Sequence, residues 1–140
     1  KWKIVCMHHQ PYSANDINKV YKRIRESWVP LMEKHGVVLC FSGHQHLYMR
    51  TEEINGITYI QGNSGQKRSD YFDVNNLPSY IEYMNRRDST YEVVSATRRN
   101  LEVTAYNREG ETVDKWKYGE SGKETLWHRF IRWIKNFHGI

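Results

Sequence analysis

The sequence predicts an α/β fold in which a strand–helix–strand unit leads into mostly antiparallel strands and a terminal amphipathic helix. Three observations predict it. Two short β-favouring apolar runs, Trp2–Met7 and Val37–Ser42, flank a segment of helical periodicity. Asn55-Gly56 lies between β-formers, the two-residue signature of a tight hairpin with positive φ at both positions. Residues 91–118 then alternate apolar and polar, with turn residues separating the runs.

The first run stops at His8-His9-Gln10-Pro11-Tyr12-Ser13, where Pro11 ends regular pairing. Ser13, Asn15 and Asp16 are candidate caps for a helix over Asp16–Lys34. In that helix Ile17, Val20, Tyr21, Ile24 and Trp28 recur at helical spacing, with Lys22, Arg23, Arg25 and Glu26 mostly on the other side. Pro30 predicts a kink or a new start, and His35-Gly36 the stop. The second run, Val37–Ser42, breaks into Gly43-His44-Gln45-His46. A hairpin over Glu53–Ile60 is followed by the glycine-containing loop Gln61–Gly65. Gln66–Ser89 is polar and weakly periodic, which predicts a long loop with one short helix at most. Tyr91–Thr97, Leu101–Asn107 and Thr112–Tyr118 read as a β-meander. Gly119–Gly122 is a linker to a helix over Glu124–Phe137. Trp127, Phe130, Ile131, Trp133, Ile134 and Phe137 make that helix apolar on one side. Packing on the protein's own core accounts for that face more simply than a membrane-surface or partner-binding role. The organisation is therefore residues 1–118 plus a 119–140 appendage.

A length of 140 residues fits one domain. With 39% hydrophobic and 26% charged residues, the chain is neither a disordered tail nor a fibre. No apolar run approaches the roughly 18 residues of a membrane-spanning helix. Two cysteines exclude a disulfide-dense scaffold, and Cys6 and Cys40 are expected as buried free thiols within the two strands. The net charge of +5 favours anionic partners without choosing among phosphate esters, nucleic acid and anionic lipid; no nucleic-acid motif accompanies it. The sequence starts Lys1-Trp2-Lys3 and shows no signal-peptide pattern, so processing or membership of a longer protein is expected and the compartment is left open.

The chemistry concentrates in histidines at strand ends. His8 closes the first strand, and His44 and His46 follow the second. Ligands of open α/β sheets collect outside the carboxyl ends of strands, and a crossover helix brings two such ends to one rim. Alternate residues of an extended segment point opposite ways, so a His-x-His pair can serve two neighbouring ions. Gly43 is expected to let the backbone turn there. Neutral imidazole suits Zn, Fe, Mn or Ni. The plainer alternative is hydrogen-bonded surface histidines, and each half of the pattern alone is compatible with it.

Val5-Cys6-Met7-His8 resembles the VxxH motif, and Gly43-His44-Gln45-His46 the GHxH motif, of the calcineurin-like metallophosphoesterases. Pro11-Tyr12-Ser13, Phe41-Ser42, Tyr48 and Arg50 place the resemblance in the purple acid phosphatase-like branch, over about residues 2–118. The resemblance implies the C-terminal half of a catalytic domain: a partial αββα metallophosphoesterase sandwich with a mixed sheet and C-terminal antiparallel strands. It implies hydrolysis of phosphate mono- or diesters by two metal ions (Zn, Mn or Fe). His8 and His44 would share one ion and His46 would serve its neighbour. His9, Tyr48, Arg50 and Asn63 are candidates for supporting or substrate-contacting roles, with His9 more simply read as exposed. Lys67, Arg68 and Tyr71 could steer an anionic substrate.

The family's earlier motifs, an Asp, a GDxx and a GNH, do not occur here. Three imidazoles carry no negative charge to offset two dications, so at most one ion and little or no turnover are expected from this chain alone. The proton-donating histidine of purple acid phosphatases is also missing, since that neighbourhood reads Ile17-Asn18-Lys19. The expected partners are a phosphate-ester substrate, the missing half of the domain, and a second copy through an apolar face left uncovered. The alternative is a non-catalytic binding module, derived from a phosphoesterase half, that associates with a partner protein or an anionic membrane surface.

Overall fold

The computed structural model describes residues 1–15, 18–68 and 72–119. The strands are β1 (Ile4–Cys6), β2 (Leu39–Ser42), β3 (Tyr48–Thr51), β4 (Thr58–Gln61), β5 (Ile81–Asn85), β6 (Thr90–Ala96), β7 (Asn100–Asn107) and β8 (Thr112–Gly119). One helix, α1 (Lys19–Lys34), joins β1 to β2. A five-stranded mixed sheet has the order β1-β2-β4-β3-β5, and a three-stranded antiparallel sheet the order β6-β7-β8. β1, β2 and β4 run parallel, and β3 is antiparallel to both β4 and β5. Both strands that end in histidine loops therefore point the same way, with β2 inside the sheet and β1 at its edge.

Alternation along β2 and β4 builds the layers. Cys40 and Tyr59 face α1, where they pack with Val29, Met32, Val37 and Ile57. Leu39 and Ile60 face the other way and join Tyr48 against Leu101, Val103 and Ala105 of the second sheet. The result is helix on sheet on sheet. Each fully buried large side chain in these seams contributes roughly 1.5–3 kcal/mol of transfer free energy. Trp2 ties the chain start to the second sheet, donating from Nε1 to the Thr97 carbonyl at 2.7 Å and meeting Tyr118 edge-on.

Helix α1 begins later than its periodicity suggested. Asn18 caps it, accepting from the Val20 N–H at 2.8 Å. Its buried residues are Tyr21, Val29 and Met32; Tyr21 belongs to the expected stripe, whereas Val20 and Trp28 of that stripe stay exposed, as does Leu31. The helix runs through Pro30 as one element because that residue is exposed, so the missing N–H falls on a solvent-facing turn. Gly36 at φ 65° ends it, with Gly36 donating to Glu33 and Val37 to Met32 in a left-handed cap.

The hairpin formed as predicted. Asn55 and Gly56 take φ of 49° and 87°, and Ile54 and Ile57 bridge across them. Its incoming strand is β3 rather than Glu53-Ile54, so Tyr48 and Arg50 are strand residues. The expected long loop over 66–89 contains β5, which pairs with β3 from Tyr48↔Asn85 to Thr51↔Ile81. Its Ile-Glu-Tyr-Met-Asn alternation is too short to show above the polar surroundings. Gly119 belongs to β8 and not to a linker. The expected helix over Glu124–Phe137 lies outside the described residues. Among the described residues, no helix is long and apolar enough to cross a membrane.

Candidate metal centre

The loop after β1 and the loop after β2 meet at the carboxyl ends of their strands. Backbone pairing continues past the strands: Met7 N–H donates to the Phe41 carbonyl at 3.0 Å and Gly43 N–H to the His8 carbonyl at 3.1 Å. Gln45, the variable residue of the His-x-His loop, is buried, and its Oε1 accepts from the Ala14 N–H at 3.3 Å. Gln45 thus fastens the two histidine loops together, a role its motif position did not reveal. Tyr80 holds the same segment from the far side, donating from its hydroxyl to the Ser13 carbonyl at 2.6 Å.

His8 Nε2 and His44 Nδ1, 36 positions apart in sequence, stand 3.1 Å from each other. His9 completes a group in which one ring nitrogen of each of His8, His9 and His44 lies within 4.8 Å of the others. His46 is outside that group. His9 is half-buried, contrary to the exposed reading, and its ring centroid lies 4.1 Å from that of His44. The buried Nδ1 of His9 has no hydrogen-bond partner among the described residues.

The left-handed backbone of this loop falls on the histidines. His44 has φ 75° and His46 φ 54°, and Gly43 is not among the positive-φ residues. Gly43 was expected to make the turn; the imidazole-bearing residues make it instead, at a cost of roughly 1–2 kcal/mol each. Partial desolvation, and then the neighbouring His9, His8, His46 and Lys67, hold the His44 imidazole below its ordinary value. This direction favours the neutral imidazole, the form that binds a cation.

Three other candidates serve the scaffold. Tyr48 donates from its hydroxyl to Asp114 Oδ2 at 2.9 Å. Arg50 donates from Nε to Asp114 Oδ2 at 2.7 Å and from Nη2 to Oδ1 at 3.2 Å, with Glu82 on Nη1. Burial opposes the Arg50 charge, but Asp114 and then Glu82 hold its value above the ordinary one. Asn63 is buried, its N–H donating to the Thr90 hydroxyl at 3.2 Å and its Nδ2 to the Asp88 carbonyl at 3.3 Å. These side chains join β3 and the end of β4 to the second sheet and its approach. Of the thiols, Cys40 is buried and its value is pushed up to about 12, whereas Cys6 is exposed on the edge strand.

No protein-family model matches the chain. Purple acid phosphatase 17 of Arabidopsis thaliana is 27% identical over 119 residues, covering 83% of this chain and 35% of that protein. An uncharacterized protein of Mycobacterium tuberculosis is 39% identical over 56 residues, 39% of this chain and 11% of that protein. Among solved structures, the purple acid phosphatase PPD1 of yellow lupin superposes with a TM-score of 0.70 at 20% identity, over 84% of this chain and 25% of that one. GAP50, described as the anchor in the inner membrane complex of Plasmodium, superposes with a TM-score of 0.72 at 17% identity, over 97% of this chain and 41% of that one.

The chain has the calcineurin-like phosphoesterase fold, in its purple acid phosphatase-like form. It spans about a third of the Arabidopsis phosphatase it matches (35%).

Proposed function

We propose that this chain is the imidazole-bearing part of a metal-dependent phosphoesterase that hydrolyses phosphate esters at a dinuclear centre. The observation that carries the reading is the 3.1 Å approach of His8 Nε2 to His44 Nδ1 at the ends of two parallel strands. Metal–nitrogen bonds of about 2.0–2.1 Å, at near-octahedral to tetrahedral angles, place two imidazole nitrogens on one ion about 2.9–3.4 Å apart. The pair fits one divalent ion, and His46 stands outside the group as a ligand of a neighbouring ion would.

Such ions polarise phosphoryl oxygens and lower the pKa of bound water when present. The chain's own contribution is positioning and charge. Gln45 and the Gly43–His8 hydrogen bond fix the two loops, so the imidazoles converge before any ligand arrives. The lowered value of His44 favours its neutral, cation-binding form. Lys67, exposed just beyond the Gln61–Gly65 loop, offers a positive charge for a phosphoryl dianion. No carboxylate joins the imidazole group among the described residues, so this chain alone is expected to turn over little or no substrate. Hydrolysis of a chromogenic phosphate ester, with Zn or Mn supplied, tests this. Turnover by a protein that joins this segment to the remaining ligands, abolished by His44→Ala, supports the reading. Robust turnover by the 140 residues alone would contradict it.

A second reading, a phosphoesterase-like module that anchors a partner without catalysis, is favoured by one observation. The similarity to the Plasmodium anchor covers 97% of the chain, and Val20, Trp28 and Leu31 lie exposed on α1. Retained partner binding after His8→Ala and His44→Ala, with no turnover in the longer protein, would select it.

A further inference from the structure

The imidazole cluster includes one ring, His9, that belongs to neither sequence motif. His8 and His9 are consecutive, and in an extended strand their rings would point to opposite faces. The chain bends at both positions just beyond β1, and both rings turn towards His44. Ring centroids are 5.1 Å apart for His8 and His44, 4.1 Å for His9 and His44, and 5.0 Å for His8 and His9. One nitrogen of each ring falls within 4.8 Å of the other two, and His46 is not part of the group.

A structural role does not account for His9. Buried ring nitrogens that serve packing are hydrogen-bonded in folded proteins, because an unpaired one loses its water without compensation. His9 Nδ1 is buried and has no partner among the described residues. The ring is nonetheless held against His44 and, at 6.3 Å, near Tyr21 of α1. A half-buried imidazole with an unsatisfied nitrogen, packed against two further imidazoles, completes a cluster of nitrogen donors that ring rotation can bring onto one ion.

We propose that His9, with His8 and His44, forms a three-imidazole site for a single late first-row divalent ion within this chain. The proposal rests on the His8–His44 pair of the reading above and deepens it by naming His9 as the third donor that this chain itself supplies. Neutral nitrogen donors without a carboxylate select Zn, Ni, Cu or Co over Mg, Ca or Mn. Three histidines are sufficient to hold zinc with a fourth position open.

Zn(II) titration of the metal-free 140-residue chain, followed by imidazole 15N–1H correlation spectra, tests this. The ring signals of His8, His9 and His44 are expected to move together and to saturate at one equivalent, while His46 stays in place and Mg(II) moves none. His9→Phe, which keeps a ring in the packed position, is expected to weaken Zn(II) binding at least about tenfold, and His46→Ala to change it less than about twofold. The spectra of the unsubstituted chain keep the question open to refutation if His9→Phe fails to fold. Movement of His8, His44 and His46 with His9 unchanged would overturn the three-imidazole site and leave the His8–His44 pair standing. No movement of His8 or His44 would overturn both.

Discussion

Asp114→Ala probes the joint between the two sheets. The carboxylate lies on β8 and receives two hydrogen bonds from Arg50 and one from Tyr48, both on β3. The Arg50 and Asp114 side chains are 9% and 8% exposed, so the pair is shielded from water. Removing one partner of a buried ion pair costs about 3–5 kcal/mol, because the other charge stays buried without compensation. The stranded Tyr48 hydroxyl adds about 1 kcal/mol or more. Glu82 stays on Arg50 Nη1 at 2.5 Å but is 56% exposed, so it recovers only part of the loss. A net destabilisation of about 3 kcal/mol follows, read as a lowered urea midpoint by circular dichroism.

The same reasoning makes a sharper demand on the double variant. Arg50→Met with Asp114→Leu replaces both charges by apolar groups of similar size, and such replacements of buried pairs are often neutral or stabilising. The double variant is expected to lose only about 1–2 kcal/mol, most of it from the stranded Tyr48 hydroxyl, with a large coupling energy in the cycle. A loss below about 1 kcal/mol for Asp114→Ala alone, or additive losses across the cycle, would refute the claim that this network joins the sheets.

Three further outcomes follow from single sites. Burial raises the Glu92 carboxyl above its ordinary value, so the folded state holds its proton more tightly and stability falls as pH rises through that raised value. Glu92→Gln, which keeps an oxygen acceptor for the Thr90 hydroxyl, should therefore raise the melting temperature at pH 7 and leave it unchanged at pH 4; equal gains at both would contradict the burial argument. Gly119 has φ 116°, and a Cβ there would overlap the Arg99 carbonyl oxygen, so Gly119→Ala should cost on the order of 2–3 kcal/mol in a denaturant titration. His44→Gly removes left-handed strain worth roughly 1–2 kcal/mol and adds the backbone entropy of glycine, about 0.5–1 kcal/mol, so the metal-free protein should gain slightly in stability; a loss above about 0.5 kcal/mol would count against strain at this position.

What could be read in advance followed local rules. The β1–α1–β2 unit, the Asn55-Gly56 hairpin and the β6–β8 meander each carry their own periodicity or turn chemistry, and all three formed. β3 and β5 were hidden because their pairing is with each other and with β4. Nothing in Tyr48–Thr51 or Ile81–Asn85 announces a partner some thirty positions away. The inter-sheet contacts of Tyr48, Arg50 and Asn63 were hidden for the same reason, since Asp114 and Thr90 reach them only through the docking of two sheets. His9 shows the limit most clearly. Its sequence neighbours suggest a strand-end side chain facing solvent, and only the bend after β1 turns it towards His44.

The backbone of the His44–His46 loop carries information that the motif alone does not. A loop selected only for stability would place glycine at its left-handed positions, since glycine takes positive φ without the Cβ penalty. Here the glycine precedes them at Gly43, and His44 and His46 occupy them. Strain of this kind persists where surrounding structure over-determines the conformation, and the surroundings do so: Gln45 is pinned by Ala14, Gly43 by His8, and Gln61 donates from Nε2 to the Leu47 carbonyl at 3.0 Å. Hydrogen bonds on both sides of each strained residue fix its φ independently of its side chain. The fold therefore holds His44 and His46 in a left-handed backbone that costs stability, and it places the His44 ring against His8 and His9.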